Sequence, residues 1–301
     1  MAMSRKALDG RAIALMFILC ALWGMQQVAV KVAAPAMNPV MQMGLRCLVA
    51  AALLIMLMWF RRESFSFRDG RLGAGISVGL LFALEFLLIA LGLLYTTASH
   101  MVVFLYTAPV YVALGVHMLV PGEKLSRTQW LGVGLAFSGI VCAFAGGLFS
   151  ASGKDFNDML LGDSLAVLAA IAWAATTVTI RASSMSEAPA SQTLLYQLAM
   201  AAILLTVGGA FAGLWQDIQM TPIAWASMAY QSLIIAFGTF LVWFWLLRHY
   251  LASPLSTFSF LTPLFGVAFG VLLLDDPVDM WFGLGAVLVV AGIVLVNRRH
   301  T

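Results

Sequence analysis

The sequence predicts an all-α membrane protein in which ten transmembrane helices form two inverted five-helix repeats around a central cavity. Three observations predict this fold class. The chain is far more apolar than a soluble domain, its basic residues collect on one side of the expected membrane, and its second half repeats the first. The expected repeats are 1–150 and 151–301, which together make one integral membrane domain.

The composition requires lipid as the main solvent. Of the 301 residues, 62% are hydrophobic and 10% are charged, whereas a soluble domain carries about 25% charged residues. A helix needs about 20 apolar residues to cross the hydrocarbon core of a bilayer. Ten stretches meet this requirement, at 11–33, 39–60, 72–94, 98–120, 127–148, 160–181, 190–213, 222–247, 253–274 and 279–297.

The charge distribution predicts the orientation. Thirteen of the 16 Lys and Arg residues fall on one set of alternating loops, one falls on the other set at Lys154, and two, Lys31 and Arg46, lie within spans. The positive-inside rule then places both termini in the cytoplasm, as in a multi-pass protein of a bacterial inner membrane. Because the basic residues are spread over six segments that flank helices, nucleic acid is not an expected partner.

The two halves share a colinear pattern. Residues 21–55 align with 171–205 at an offset of 150, and later segments align at offsets of 154 and 153. Since each half has five spans, the second half enters the membrane from the opposite side, which gives an inverted repeat. The matched pairs are Trp23 with Trp173, Lys31 with Arg181, Pro109 with Pro263, Glu123 with Asp276, Gly132 with Gly285, and Gly139 with Gly292.

Several short motifs resemble the EamA-type branch of the drug/metabolite transporter superfamily. They are Ala21-Leu22-Trp23-Gly24, Leu45-Arg46, Ala108-Pro109-Val110, Gly122-Glu123-Lys124-Leu125 and Trp130-Leu131-Gly132, whereas Asp275-Asp276-Pro277 departs from the family pattern. Within this branch the chain is most similar to the YddG-type bacterial exporters of aromatic amino acids. The resemblance implies a secondary transporter that exports aromatic or hydrophobic amino acids and related metabolites by alternating access. It also implies a monomer whose partners are the solute and membrane lipid.

The resemblance places the first and sixth helices beside the central cavity. Trp23 of the first helix and Trp173 of the sixth occupy equivalent positions in the two repeats. One turn farther on, Gln26 and Gln27 are equivalent to Thr176 and Thr177. An aromatic ring beside amide or hydroxyl groups suits an amphipathic organic ligand, although each ring could instead pack between helices. The substrate-binding candidates are Trp23, Gln26, Gln27, Phe82, Glu85, Tyr95, His100, Tyr106, Trp173, Thr176, Thr177 and Trp243.

Two charged residues lie at similar depth inside adjacent spans. Glu85 is about nine residues from the outer end of its helix and Arg46 about seven, or roughly 13 Å and 10 Å at 1.5 Å per residue. Charges inside a membrane are costly and usually paired or functional. We therefore predict a Glu85–Arg46 ion pair, which serves either as a protonatable coupling site or as a ligand for an amino group. The alternatives are a buried structural pair and an acid that faces a wet cavity without a coupling role.

Pro109 and Pro263 lie mid-span at matching positions of the two halves. A proline removes one helical hydrogen bond and permits a kink, so the pair is predicted to act as hinges or as static bends.

Other function classes remain open. The alternatives are a multidrug or other metabolite transporter of the same superfamily, a passive channel and an integral-membrane enzyme. The enzyme ranks lower because no convergent set of acids, histidines or nucleophiles is visible, so we predict no catalytic residue. The three cysteines lie in apolar spans at unrelated spacings and predict no metal site. No stretch of the sequence matches a P-loop, so nothing indicates ATP as the energy source, and no cofactor is expected.

Overall fold

A computed structural model describes residues 6–63, 70–96, 101, 104–148, 155–216, 218–274 and 280–297. Within these ranges the backbone alone is described for residues 27, 28, 31, 143–148, 155, 156, 267, 270–274, 280, 282, 286 and 297. His100 and the side chain of Gln27, both predicted to bind substrate, therefore lie outside the described part of the chain.

The described residues form helices and no strand, which confirms the all-helical class for this part of the chain. One isolated bridge joins Lys6 to Tyr250. The helices are α1 Gly10–Ala33, α2 Pro39–Phe60, α3 Leu72–Gly92, α4 Ala108–Leu119, α5 Arg127–Leu148, α6 Asp155–Ala182, α7 Ala190–Phe211, α8 Pro222–Ala229, α9 Phe240–His249, α10 Ala252–Phe258, α11 Leu261–Leu274 and α12 Met280–Asn297. A short 3-10 turn, Ser184–Glu187, precedes α7.

Within the part of the chain that the structure describes, five helical stretches are long and apolar enough to cross a membrane: Pro39–Phe60, Leu72–Gly92, Asn157–Ala182, Ala190–Phe211 and Pro222–His249. Shorter apolar helices occur at Gly10–Gln26, Ala108–Leu119 and Gly283–Val296. The structure is therefore that of a multi-pass membrane protein. The count of ten spans and the inverted repeat stay predictions.

Proline and polar residues fix where several helices begin. Pro39 opens α2, where its missing N–H costs nothing, and the Asn38 side chain accepts a hydrogen bond of 2.9 Å from the Val40 amide. Thr221 caps α8 in the same way, through a bond of 3.2 Å from the Ala224 amide. These local signals explain why the predicted and observed starts agree at both helices.

Two helical interruptions occur just before the matched prolines. A turn at 106–107 precedes α4, and a turn at 259–260 separates α10 from α11. Pro109 and Pro263 each follow within four residues, and a proline cannot donate the hydrogen bond that would continue the preceding helix. Each proline therefore lies in the first turn of the helix that follows the interruption, and the expected hinge or static bend stays a prediction.

A π-helical segment, Tyr230–Thr239, joins α8 to α9 in one continuous stretch. No feature of the sequence predicts this segment, and the stretch 222–247 is expected to form an ordinary α-helix. A π segment shifts the side chains that follow it around the helix axis, and such segments are frequent at functional sites. Here Phe240, Trp243 and Phe244 follow directly.

Glycines let α5 and α12 cross at very short range. A Cβ atom added at Gly292 would lie 2.5 Å from the Gly132 carbonyl oxygen, and one added at Gly139 would lie 2.7 Å from that of Gly285. Glycines also allow α3 to pack on α7, because a Cβ at Gly75 would meet the Tyr196 ring at 2.5 Å. Small residues of this kind permit close backbone approach where helices pack in lipid.

Candidate functional site

An internal cavity lies between α1, α2, α3, α6, α7 and α9. Its wall is mainly apolar and aromatic, with a small number of polar groups, which is the usual make-up of a site for a small organic molecule. The lining residues are Trp23, Gln26, Val30, Met43, Arg46, Phe82, Glu85, Phe86, Ile89, Leu93, Met101, Leu105, Tyr106, Trp173, Thr176, Thr177, Gln197, Phe240, Trp243 and Phe244.

Two aromatic pairs flank this cavity. The rings of Trp23 and Trp243 meet edge-on at 5.7 Å, and the indole N–H of Trp23 donates a hydrogen bond of 2.9 Å to the Thr239 hydroxyl. Tyr106 and Trp173 form a second edge-on pair at 5.6 Å. The satisfied indole N–H fixes the orientation of Trp23, so its ring presents a defined apolar surface.

Three phenylalanines form another part of the wall. Phe82 lies 4.4 Å from Phe86 and 5.7 Å from Phe240, measured between ring centroids. Phe82 and Phe86 are one turn apart on α3, whereas Phe240 follows the π segment. The cluster joins the two helices and gives the cavity an apolar side.

The two charged residues of the cavity are not directly paired. Arg46 on α2 is 1% exposed, and its guanidinium carbon lies 4.5 Å from the centroid of the Phe86 ring. Among the described residues no salt bridge within 4.0 Å joins Arg46 to Glu85 on α3. The predicted direct ion pair is therefore wrong. Both side chains line the same cavity, but their charged nitrogen and oxygen atoms lie more than 4.0 Å apart.

The structure brings most of the predicted substrate-binding residues to one place. Nine of the twelve line the cavity: Trp23, Gln26, Phe82, Glu85, Tyr106, Trp173, Thr176, Thr177 and Trp243. Tyr95 does not; it lies in the turn after α3 and is 43% exposed, since the helix ends at Gly92 before reaching it. Whether the nine contact a solute stays a prediction.

Sequence reasoning missed several lining residues. Phe240 and Phe244 flank Trp243 on α9, and their helical spacing could have indicated a shared face. Gln197 is a fully buried amide in the apolar helix α7, and within the described structure its side-chain oxygen has no hydrogen-bond partner. A glutamine well inside an apolar span is itself a sequence signal that was available.

A buried charge cluster closes the end of the bundle that carries the N-terminal segment. Glu123 forms an ion pair with Arg181, and its other oxygen accepts a hydrogen bond of 2.9 Å from the Ala252 amide at the start of α10. Arg181 also donates to the carbonyl oxygens of Leu247 and Tyr250. These contacts join the loop after α4 to the ends of α6 and α9 and to α10.

The N-terminal segment packs over the same end. The Tyr250 hydroxyl donates to Asp9 at 2.9 Å, and the Lys6 backbone pairs with His249 and Leu251. Hydrogen bonds from Lys6 first, then from the Ala12 amide and Tyr250, hold the pKa of Asp9 well below its usual range. The carboxylate stays charged at neutral pH and keeps the segment in place.

A polar chain occupies the opposite end. The Gln231 amide donates to the Gln42 side-chain oxygen at 3.0 Å and to the Ser227 hydroxyl at 3.1 Å. Ser227 in turn donates to the Ala29 carbonyl oxygen at 2.5 Å. Hydrogen bonds between neutral groups thus join α1, α2 and the 222–249 stretch at this end. At the other end the contacts involve charged side chains.

Membrane-length helices around an amphipathic internal cavity define an integral membrane protein for small organic solutes. The sequence matches the EamA-like transporter family twice, over residues 10–145 and 160–298. The chain therefore belongs to the EamA-like transporter family, whose named relatives are transporters rather than enzymes.

Relatives of similar length support the same assignment. The chain is 26% identical to the uncharacterized transporter YoaV of Bacillus subtilis (strain 168), covering 91% of this chain and 92% of that protein. It is 27% identical to a protein of Escherichia coli (strain K12) named "Probable amino-acid metabolite efflux pump", covering 97% and 95%. A solved crystal structure superimposes with a TM-score of 0.81 at 17% identity over 97% of this chain and 99% of that one, which shows a shared fold.

Proposed function

We propose that this transporter exports amino acids, above all aromatic or hydrophobic ones, and related metabolites across the inner membrane by alternating access. The observation that carries the proposal is the cavity, where aromatic rings, an acid, an arginine and amide groups converge in the interior of the bundle. An aromatic amino acid needs both an apolar surface for its ring and charged or polar groups for its zwitterionic head group. The name of the Escherichia coli relative, "Probable amino-acid metabolite efflux pump", agrees with this solute class.

We propose further that the chain consists of two inverted five-helix halves. The two separate family matches support this arrangement. So do the glycine contacts: Gly132 meets Gly292 and Gly139 meets Gly285, although the sequence matches Gly132 with Gly285 and Gly139 with Gly292. Such an exchange of partners is what a two-fold relation between α5 and α12 produces.

Alternating access would use the two ends of the bundle in turn. The Glu123–Arg181 cluster would close the cytoplasmic end, and the Gln42–Gln231 chain the outer end. The interruptions before Pro109 and Pro263 give each half a place to bend. Both termini would be cytoplasmic, so an impermeant thiol reagent should label a cysteine at 154, and not one at 301, from outside intact cells.

Reconstituted protein tests the proposed solute class. Uptake of labelled amino acids into proteoliposomes should be saturable and fastest for tryptophan, phenylalanine, tyrosine and large aliphatic residues. A panel of neutral drugs and sugars serves as the comparison, and a pH gradient is applied in half of the samples. Transport of the drugs alone would favour a multidrug transporter and would overturn the proposal.

A further inference from the structure

Arg46 carries a charge in the cavity wall that has no salt-bridge partner within 4.0 Å among the described residues. Within the described part of the chain, neither its Nε nor its Nη1 atom has a hydrogen-bond partner, although both are fully buried. Arginine is charged at every relevant pH, and a buried charge without a partner is costly. An anionic group that enters the cavity would therefore gain strongly by contacting it.

The guanidinium of Arg46 is held by a contact that leaves its Nε and Nη1 donors without a partner among the described residues. Its face stacks on Phe86 at 4.5 Å, a contact that holds the side chain but uses none of its N–H groups. Arginine presents these N–H groups as a planar fork that matches a carboxylate, so a carboxylate can bind through two parallel hydrogen bonds.

The same cavity is also lined by oxygen atoms that could bind a cationic group. Glu85 on α3 is a lining residue that makes no salt bridge with Arg46 among the described residues. Gln197 on α7 contributes a buried side-chain oxygen that lacks a hydrogen-bond partner in the same part of the structure. A separated arginine and acid suit a zwitterion, whose two charged groups would bind one to each.

We infer that Arg46 binds the carboxylate of the transported solute. The substrate class is then free α-amino acids, and it excludes amines, esters and amides that carry the same aromatic side chain but lack a free carboxylate. Glu85 and Gln197 face the ammonium group, and the aromatic wall takes the side chain. The inference rests on the proposed transport function, and it deepens that function by assigning the head-group contact.

A ligand series on the unmodified protein tests this directly. Uptake of labelled tryptophan is measured in proteoliposomes with unlabelled tryptophan, tryptamine, tryptophanamide or indole-3-propionate as competitor. Tryptamine and tryptophanamide lack the carboxylate, and we expect each to compete about tenfold or more weakly than tryptophan, because charge-assisted hydrogen bonds are the strong ones. Equal competition by tryptamine would overturn the inference and leave the transport function standing. If the protein takes up no labelled tryptophan at all, the function falls and the inference with it.

Variants of Arg46 give a second readout. Arg46→Lys should keep a preference for tryptophan over tryptamine, whereas Arg46→Gln should reduce this preference to about twofold or less, since the charge is lost. The ratio of the two competitors is independent of how much folded protein is present. A merely structural Arg46 would give a less stable Arg46→Gln protein with an unchanged ratio, and that result would also overturn the inference.

Discussion

Arg181 and Glu123 form an ion pair with an Nη2–Oε1 distance of 2.6 Å, in which both side chains are almost completely buried, at 1% and 6% exposed. The pair joins the two halves of the chain, because Glu123 follows α4 and Arg181 ends α6. Removing one partner of such a pair leaves the other charge buried and alone.

Glu123→Gln should therefore destabilise the protein by about 3–5 kcal/mol. The expected result is a clear fall in melting temperature in detergent. Asp158→Asn is the matched control, since Asp158 is an exposed acid at the start of α6, and its effect should be within about 0.5 kcal/mol. Replacing both Glu123 and Arg181 by Met should recover part of the loss; equal shifts for Glu123→Gln and Asp158→Asn would contradict the structural role of the pair.

The close crossing of α5 and α12 gives a prediction about glycine. Gly139→Ala places a Cβ atom 2.7 Å from both the Gly285 carbonyl oxygen and the Val289 amide nitrogen. We expect a loss of about 1–3 kcal/mol, because the backbones must move apart. Gly134→Ala on the same helix is the control, since nothing lies within 4 Å of its added Cβ atom. Thermal unfolding of both variants decides the matter, and equal stability would show that the helices do not cross as described.

The aromatic wall gives a prediction about transport. Trp173→Ala removes a cavity ring that packs on Tyr106, so the uptake of aromatic amino acids should fall by about tenfold. Trp215→Ala should change it little, because Trp215 is 46% exposed and lies away from the cavity. The measurement is initial uptake at equal amounts of reconstituted protein. The same reduction in both variants would mean that Trp173 only packs between helices.

The acid in the cavity gives a prediction about coupling. If Glu85 carries the coupled proton, Glu85→Gln should abolish the response of uptake to a pH gradient. Exchange of labelled for unlabelled solute should persist, because exchange needs no net proton movement. Since no direct salt bridge ties Glu85 to Arg46, stability should change less than in Glu123→Gln. An active Glu85→Gln protein that keeps its full pH response would rule out Glu85 as the coupling residue.

Helix positions were largely predictable from the sequence, for a physical reason. Polar and proline residues mark where an apolar chain leaves the membrane, so the stretch 39–60 and helix Pro39–Phe60 coincide. The expected start at 160 was late for α6, which begins at Asp155, because a helix can extend past the hydrocarbon core with polar residues. The π segment was not predictable, since its residues are as apolar as those of an ordinary helix.

The site was predictable only in part. The repeat indicated Trp23 and Trp173 as a matched pair, and both line the cavity. Depth along a helix follows from the rise per residue, and Glu85 and Arg46 do line the same cavity. Depth does not fix the distance between two side chains, so the predicted direct ion pair was wrong. Arg181 was counted among the loop-side basic residues, although it is buried against Glu123, because sequence shows only that it lies near a helix end.

Counterflow is the measurement that distinguishes a carrier, in which a single cavity opens to each side of the membrane in turn, from a channel. Proteoliposomes loaded with unlabelled tryptophan are diluted into a trace of labelled tryptophan, without any ion gradient. We expect the label to accumulate transiently above its equilibrium level, because a carrier exchanges one solute for another, and unlabelled phenylalanine inside should also support the overshoot. Simple equilibration of the label without an overshoot would indicate a channel and would overturn the proposal of alternating access.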